Sequence, residues 1–245
     1  MKILLIDIGN TETKFYLYEK KFTKKIKLNS DRLNFNYLNK KLKFLDNKKI
    51  LINTIICSSV VPNLLNNLKR FFKKKINCNI IELKQKNLNK LINIKINKYQ
   101  VGSDRLANAL SVADLKKNFI IIDFGTATTF DVIIKNQYMG GVIAPGVRLS
   151  LDTLITKASL IKPLSLKKIK SIVGKNTKEA VRSGFYWGYI GLINNIIRLI
   201  IEKYKKNFNI ILTGGFSHLF RKSLKYKTKV DKDLTIKGLL KLTRN

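Results

Sequence analysis

The sequence predicts an α/β protein built from two related subdomains. An Asp-x-Gly phrase follows an apolar run twice, at Asp7 and again at Asp123, 116 positions further on. A hairpin pattern and later a helical pattern follow each phrase. With 245 residues, 45% of them hydrophobic, the chain is long enough for a sizeable core. Duplication of one α/β unit explains the recurrence, and we place the subdomains at residues 1–114 and 115–245.

The elements can be read in order along the chain. Apolar runs and alternation predict strands at residues 2–6, 15–18, 22–28, 50–57, 79–83, 119–123, 128–134, 138–143 and 210–212. Helices are predicted from Pro62, from Ser103 as N-cap, over residues 177–205 and over residues 235–240. The glycine-rich phrase GGVIAPG, residues 140–146, is expected to be a flexible loop that approaches a ligand.

The basic charge is a poor guide to function. The formal net charge is +34, yet only 8 of the 49 basic residues are arginines, and the lysines are spread along the chain. Nucleic-acid readers favour arginine forks and clustered patches with aromatic side chains. Since Lys, Asn and Ile share A/T-rich codons, we attribute the excess to biased composition and expect no specific nucleic-acid partner. Without a ~20-residue apolar run or a signal peptide, we expect a cytoplasmic protein with no membrane contact.

Several enzyme classes are excluded by missing motifs. The sequence contains no GxxxxGK[ST], GxGxxG or GxSxG phrase, which argues against P-loop kinases, Rossmann dehydrogenases and α/β-hydrolases. Cys57 and Cys78 lack metal-ligand spacing and are expected to be reduced core thiols.

The two Asp-x-Gly corners are candidate phosphate sites. Asp7 ends a strand and Gly9 lets backbone amides approach a phosphate, so Asp7 is a candidate magnesium ligand, directly or through water. Lys14 is near enough in sequence to reach a phosphate. An Asx-type turn joining two strands would produce the same phrase. Asp123, with Thr126 beside Gly125, repeats the corner with more hydroxyl groups, and two matched corners favour phosphate binding.

Asp104 is the candidate general base. It lies in the first turn of the helix predicted from Ser103, where the helix dipole stabilises its negative charge and keeps it ionised at neutral pH. Phosphoryl transfer depends mainly on positioning and charge neutralisation, so a weak base is sufficient. Asp104 could equally be a helix cap with Arg105 as its salt-bridge partner.

The ordered set of phrases resembles the type III pantothenate kinases, a branch of the acetate and sugar kinase, Hsc70 and actin superfamily. The matching phrases are DIGNTETK at 7–14, GSDR at 102–105, DFGTATT at 123–129, GGVIAPG at 140–146, GKNTKEAVRSG at 174–184, TGG at 213–215 and LTIKGL at 234–239. The resemblance implies two ribonuclease H-like (actin-like ATPase) subdomains with mixed sheets flanked by helices. It also implies ATP-dependent phosphorylation of pantothenate, the first step toward coenzyme A.

The resemblance implies roles for individual residues. The ATP-binding set maps onto Asp7, Ile8, Gly9, Asn10, Thr11, Glu12, Thr13, Lys14 and Thr126. The pantothenate-binding set maps onto Gly102, Ser103, Asp104, Arg105 and Thr177, with Asp104 as the base. Asp123 maps onto the ligand of an activating K⁺ or NH₄⁺ ion. Family resemblance further implies Mg²⁺ as cofactor and a homodimer, with Thr177 near its interface.

One departure and two alternatives remain open at this point. The family's substrate-contacting tyrosine falls at Lys95 by the usual spacing, while Tyr99 lies too close to GSDR. Either Tyr99 compensates or the contact is missing. The alternatives to a pantothenate kinase are a kinase of the same superfamily acting on another small hydroxyl compound, and a non-catalytic regulatory relative that binds nucleic acid.

Overall fold

A computed structural model describes residues 2–47 and 50–243 of the chain. Its strands are β1 Lys2–Ile8, β2 Glu12–Glu19, β3 Lys21–Asn29, β4 Ile52–Ser59, β5 Ile80–Glu82, β6 Asn93–Ile94, β7 Asn118–Phe124, β8 Ala127–Ile134, β9 Gln137–Pro145, β10 Asn209–Gly214 and β11 Thr228–Val230. Its α-helices are α1 Phe35–Lys41, α2 Pro62–Ile76, α3 Ser103–Val112, α4 Val147–Lys157, α5 Thr177–Tyr204, α6 Ser217–Arg221 and α7 Leu234–Lys241. Short 3₁₀ turns occur at Ser30–Arg32, Lys43–Asp46, Leu83–Gln85, Leu88–Lys90 and Lys98–Gln100.

The chain forms two compact units. The first contains the described residues up to Ala113 together with those from Asp233 onward, and the second is Asp114–Lys232. The boundary after residue 113 lies one residue from the division expected between 114 and 115. Helix α7, which that division assigns to the second subdomain, lies in the first unit.

The first unit is built on a mixed five-stranded sheet in the order β3-β2-β1-β4-β5. Strands β1, β2 and β3 are antiparallel neighbours, and β4 and β5 run parallel to β1. Helix α2 covers this sheet because Leu65, Leu68 and Phe72 recur on one side of it and pack with Leu4 and Ile6 of β1. It begins at Pro62, where a missing N–H costs nothing, and ends before Asn77 in the left-handed conformation.

Helices α3 and α7 pack together in the first unit at very short range. The Thr235 hydroxyl donates to Asn108 Oδ1 over 2.8 Å, and both residues are buried. Ahead of α7, Asp233 accepts hydrogen bonds from the Tyr16 hydroxyl at 2.7 Å and from Lys25 at 2.6 Å. The first contact joins α7 to α3, the helix that carries Asp104, and the other two join the start of α7 to β2 and β3.

The second unit repeats the topology of the first. Within it the strands run in the order β11-β10-β7-β8-β9, with β7, β8 and β9 antiparallel and β10 and β11 parallel to β7. The long helix α5 packs Tyr186, Ile193 and Ile197 against Ile120 and Ile122 of the central strand. The Asn176 side chain caps α5 by accepting the Glu179 N–H. An α/β fold with two mixed sheets flanked by helices is therefore confirmed.

Two local expectations need correction, and one helix was not foreseen. Ser103 is not the N-cap of α3: the helix begins at Ser103, Gly102 is the cap, and the Ser103 hydroxyl donates to Glu82 Oε1 at 3.3 Å. The phrase at 140–146 is not a loop, because strand β9 continues up to Pro145. Gly140 has a φ of 101° and lies beside an irregularity in the pairing of β9 with β8. Helix α4, which directly follows Gly146, was not predicted.

Two further features concern membrane spans and the cysteines. No helix among the described residues is long and apolar enough to cross a membrane. Both cysteines are free thiols, Cys57 buried and Cys78 half-buried. Burial raises the pKa of the Cys57 thiol to about 12, so it is a poor nucleophile.

Candidate active site

Asp7 lies at the centre of the first corner. The pairing of β1 with its two neighbours places Lys14 on one side of Asp7 and Ser58 on the other. Lys14 Nζ lies 3.2 Å from Asp7 Oδ2, and the Ser58 hydroxyl donates to Oδ1 over 2.8 Å. Asp7 is only 8% exposed and Ser58 is fully buried. Each carboxylate oxygen is thus held by a different neighbouring strand.

The loop between β1 and β2 is tied down by backbone and hydroxyl contacts. The Gly9 N–H donates to Glu12 O at 3.2 Å, which closes the turn. Behind it, the Ser30 hydroxyl donates to Gly9 O at 2.7 Å, and the Ser30 N–H donates to Thr11 O at 3.0 Å. Thr13 is buried and its hydroxyl lies 2.9 Å from that of Ser30. The exposed tip, residues 10–12, is consequently a braced loop that can meet a phosphate.

Asp104 lies in the same unit as Asp7, in the first turn of α3. Its Oδ1 accepts the Arg105 N–H at 2.8 Å. Gly102 makes room for this carboxylate, since a Cβ there would lie 2.5 Å from Asp104 Oδ1. Burial raises the pKa of Asp104 above its ordinary value, and the negative charge of Asp7 raises it further. The hydrogen bond from Arg105 N–H and the Arg105 charge oppose this rise.

This pKa direction is opposite to the one that the helix dipole alone favours. Position at a helix start favours the ionised form, whereas burial of Asp104 is the main cause of its raised pKa. A carboxylate with a raised pKa is a stronger base once ionised. A raised pKa is therefore compatible with a role of Asp104 as a proton acceptor.

The second corner places Asp123 between two hydroxyl residues. Register pairs Asp123 with Thr129 of β8 and with Thr213 of β10. Gly214 has φ +82°, and a Cβ there would lie 2.7 Å from Asp123 Oδ1 and 2.5 Å from Phe124 O. Only glycine allows the TGG backbone to lie this close to the carboxylate. Thr126 is exposed in the turn, which the Gly125 N–H closes by donating to Ala127 O at 3.0 Å.

The remaining predicted residues are distributed over both units. Arg105 and Ser103 adjoin Asp104, while Thr177 is exposed at the first position of α5 in the second unit. Tyr99 is 70% exposed, with Lys98 Nζ 5.0 Å from its ring centroid. Ser30 and Ser58 were not predicted. Their only sequence signal is a hydroxyl residue at or just beyond a strand end, which is too common to identify a site.

The acidic side chains of the site can be compared with the needs of a metal ion. Among the described residues no group of three or more His, Cys, Asp or Glu side chains could hold a metal ion. Magnesium at kinase sites uses one or two carboxylates together with substrate phosphates. The contact of Lys14 Nζ with Asp7 Oδ2 shows that this carboxylate attracts a cation, so Asp7 fits that pattern.

Comparisons with known proteins agree with these features. Residues 3–199 match the family model of type III pantothenate kinase. The chain is 56% identical over 245 residues to the type III pantothenate kinase of Pelagibacter ubique (strain HTCC1062), covering 98% of both chains. It is 36% identical over 251 residues to that of Sulfurihydrogenibium sp. (strain YO3AOP1), covering 97% of both.

A solved structure extends the likeness to the fold. The inorganic polyphosphate/ATP-glucomannokinase from Arthrobacter sp. strain KM superimposes with a TM-score of 0.52 at 11% identity, over 99% of this chain and 98% of the other. At this identity the likeness concerns the fold alone, which is that of the actin-like ATPases and sugar kinases. The sequence matches extend over nearly the whole length of both relatives, and the chain belongs to the type III pantothenate kinase family.

Proposed function

We propose that the chain transfers the γ-phosphoryl group of ATP to the primary hydroxyl of pantothenate, the first step of coenzyme A synthesis. The observation that carries this proposal is the 56% identity with a type III pantothenate kinase over 98% of both chains. The geometry supports it, because the first unit holds a braced loop, the Asp7 carboxylate and a second carboxylate whose pKa is raised.

The ATP phosphates bind the loop from Asp7 to Lys14. Backbone N–H groups of residues 10–12 lie at its exposed tip, and Lys14 supplies a positive charge for the phosphate oxygens. Thr126, exposed at the second corner, donates its hydroxyl to the nucleotide. Mg²⁺, with Asp7 as its protein ligand, neutralises phosphate charge when it is bound.

Asp104 accepts the proton of the pantothenate hydroxyl. Phosphoryl transfer has a loose transition state, so this proton leaves late and the main task of Asp104 is to orient the nucleophile. Gly102, Ser103 and Arg105 contact pantothenate around the base. The Arg105 guanidinium offers paired donors of the kind that bind a carboxylate, and pantothenate carries one. Thr177 supplies a hydroxyl contact from the start of α5.

Asp123 is the protein ligand of an activating K⁺ or NH₄⁺ ion. Thr129 and Thr213 stand at its two register positions, and a monovalent cation held by Asp123 would supply positive charge there. This charge helps to bind the phosphates of the nucleotide.

The working form is a homodimer. The second unit exposes large apolar side chains, including Ile143 at 63%, Leu149 at 53% and Val173 at 73%, which contact with a second copy would cover. Size-exclusion chromatography with light scattering measures this directly. A particle of one chain's mass, 28.2 kDa, contradicts the dimer.

The two units descend from one duplicated unit, with subdomains at 1–114 and 115–245. The identical strand order and directions of the two sheets support the duplication. Helix α7 then belongs to the second subdomain by descent and to the first unit by packing.

A coupled assay of ADP release tests the proposed activity. ADP release should require pantothenate and rise on addition of K⁺, whereas sugars and short hydroxy acids should give none. Release with another hydroxyl compound but not with pantothenate contradicts the substrate. Asp104→Asn should reduce kcat by at least about 100-fold while calorimetric ATP affinity stays unchanged. Robust turnover by this variant contradicts the assignment of the base.

A further inference from the structure

The hydrogen bond between Ser58 and Asp7 distinguishes Ser58 from the other serines of the first unit. Strand β4 runs parallel to β1, and its register places Ser58 directly beside Asp7. Neighbours in register on adjacent strands project from the same face of a sheet. The result is a 2.8 Å hydrogen bond from a fully buried hydroxyl to Asp7 Oδ1.

Ser58 and Lys14 hold the same carboxylate in different ways. Lys14 is charged, its side chain is 22% exposed, and it contacts Oδ2 at 3.2 Å. A long, partly exposed lysine can turn toward a phosphate when ATP binds. Ser58 has a short side chain and no exposed surface, so its hydroxyl is confined beside Oδ1.

We propose that Ser58 is a positioning residue for the kinase reaction. By its hydrogen bond to Oδ1, Ser58 fixes the rotation of the Asp7 carboxylate, so that Oδ2 faces the magnesium-bound phosphates when Lys14 moves away from Oδ2. This inference rests on the proposed role of Asp7 in binding ATP and Mg²⁺. Partners that orient a metal-binding carboxylate through a hydrogen bond contribute strongly to metal affinity. Ser58 does not touch ATP in this arrangement and acts only through Asp7.

The second corner offers a natural comparison. Thr213 of β10 occupies the register position beside Asp123 that Ser58 occupies beside Asp7. A hydroxyl residue thus stands on the parallel strand next to the aspartate in both units. The equivalence also identifies Ser58→Thr as a conservative variant, since the second sheet already accepts threonine at this place.

The test uses the full chain and the variants Ser58→Ala, Ser58→Thr and Cys57→Ala. Cys57 precedes Ser58 on β4, is equally buried and projects from the opposite face of the sheet, into the core of the first unit. Cys57→Ala therefore controls for a general loss of stability. Readouts are kcat, the separate KM values for Mg·ATP and pantothenate, the thermal midpoint, and calorimetric affinity for a non-hydrolysable ATP analogue with and without Mg²⁺.

We expect Ser58→Ala to weaken the magnesium-dependent affinity for the analogue by about tenfold and to raise the KM for Mg·ATP similarly. The KM for pantothenate should not change. Ser58→Thr should restore the affinity, and Cys57→Ala should lower only the thermal midpoint. In an Asp7→Asn background, Ser58→Ala should have no further effect on affinity, because its effect passes through Asp7.

Two outcomes overturn the proposal. The first is a Ser58→Ala variant that matches Cys57→Ala, with reduced thermal stability and unchanged affinity. The second is an effect of Ser58→Ala that persists in full when Asp7 is already asparagine. The calorimetric readout separates this inference from the proposed substrate: a wild-type chain that binds Mg·ATP but does not phosphorylate pantothenate contradicts the substrate alone. A wild-type chain that binds no ATP analogue overturns both.

Discussion

Gly238 lies at the closest approach of α7 to α3, and Gly238→Ala tests how tightly these helices are packed. A Cβ at Gly238 would lie 1.8 Å from Ala107 O and 2.6 Å from Ala107 C, far inside van der Waals contact. The atoms it meets belong to the α3 backbone, so no side-chain rotation relieves the clash. The helices must separate by more than about 1 Å, which also stretches the hydrogen bond from Thr235 to Asn108.

The size of the effect follows from two opposing contributions. Overpacking of a core contact costs about 1–3 kcal/mol, and a backbone clash belongs at the upper end. Replacing a helical glycine by alanine returns about 1 kcal/mol. We expect a net loss of about 2 kcal/mol in the free energy of unfolding. Because α3 carries Asp104, kcat should also fall, by up to about 100-fold for a displacement near 1 Å.

Guanidinium unfolding and steady-state kinetics provide the measurements. Gly191→Ala is the matched control, since Gly191 lies within α5 and no atom would approach its added Cβ within 4 Å. The control should be as stable as the parent or up to about 1 kcal/mol more stable. If Gly238→Ala behaves like Gly191→Ala, with unchanged kcat, the close packing of α3 and α7 is refuted.

Three further predictions concern Asp104 and the contacts of α7. In the proposed reaction Asp104 accepts a proton and must be ionised. Since its pKa is raised, kcat/KM should fall with decreasing pH at values above the ordinary aspartate pKa of 3.8. An acid limb at or below 3.8 contradicts this. A raised pKa means that the ionised form of Asp104 destabilises the folded state, so Asp104→Asn should raise the midpoint of urea unfolding at pH 7. This gain in stability should disappear at low pH, where the carboxyl group of the wild-type chain is neutral. Tyr16→Phe removes one hydrogen bond to Asp233 and should lower the free energy of unfolding in urea by about 1–2 kcal/mol. An unchanged unfolding midpoint would show that Lys25 alone holds Asp233.

The sequence predicted features that depend on local pattern. Asp7 and Asp123 were placed at strand ends because an apolar run followed by Asp-x-Gly marks the end of a buried strand. Helix α2 was found because its apolar residues recur at helical spacing. The strand ends differ from the expected ones by only a few residues, since short-range periodicity defines the middle of an element better than its ends.

Features that depend on long-range register could not be predicted. Ser58 meets Asp7 because β4 pairs with β1, and the two residues lie 51 positions apart. Tyr16 meets Asp233 across 217 positions, which is why α7 could not be assigned to the first unit from the sequence. The raised pKa of Asp104 was missed because desolvation depends on surrounding chain segments, whereas the helix dipole can be inferred from position alone.

The two corners share one topology but differ in the residue that the antiparallel neighbouring strand places beside the aspartate. Lys14 stands beside Asp7 on the antiparallel neighbour, and Thr129 occupies the same place beside Asp123. Lys14 reaches its aspartate at 3.2 Å, so a lysine at position 129 should reach Asp123 and act as an internal replacement for K⁺. We expect Thr129→Lys to retain activity that no longer responds to K⁺. Thr129→Met has similar length without the charge, and its activity should remain dependent on K⁺. If Thr129→Lys responds to K⁺ as strongly as the wild-type chain, Asp123 is not the ligand of the activating ion.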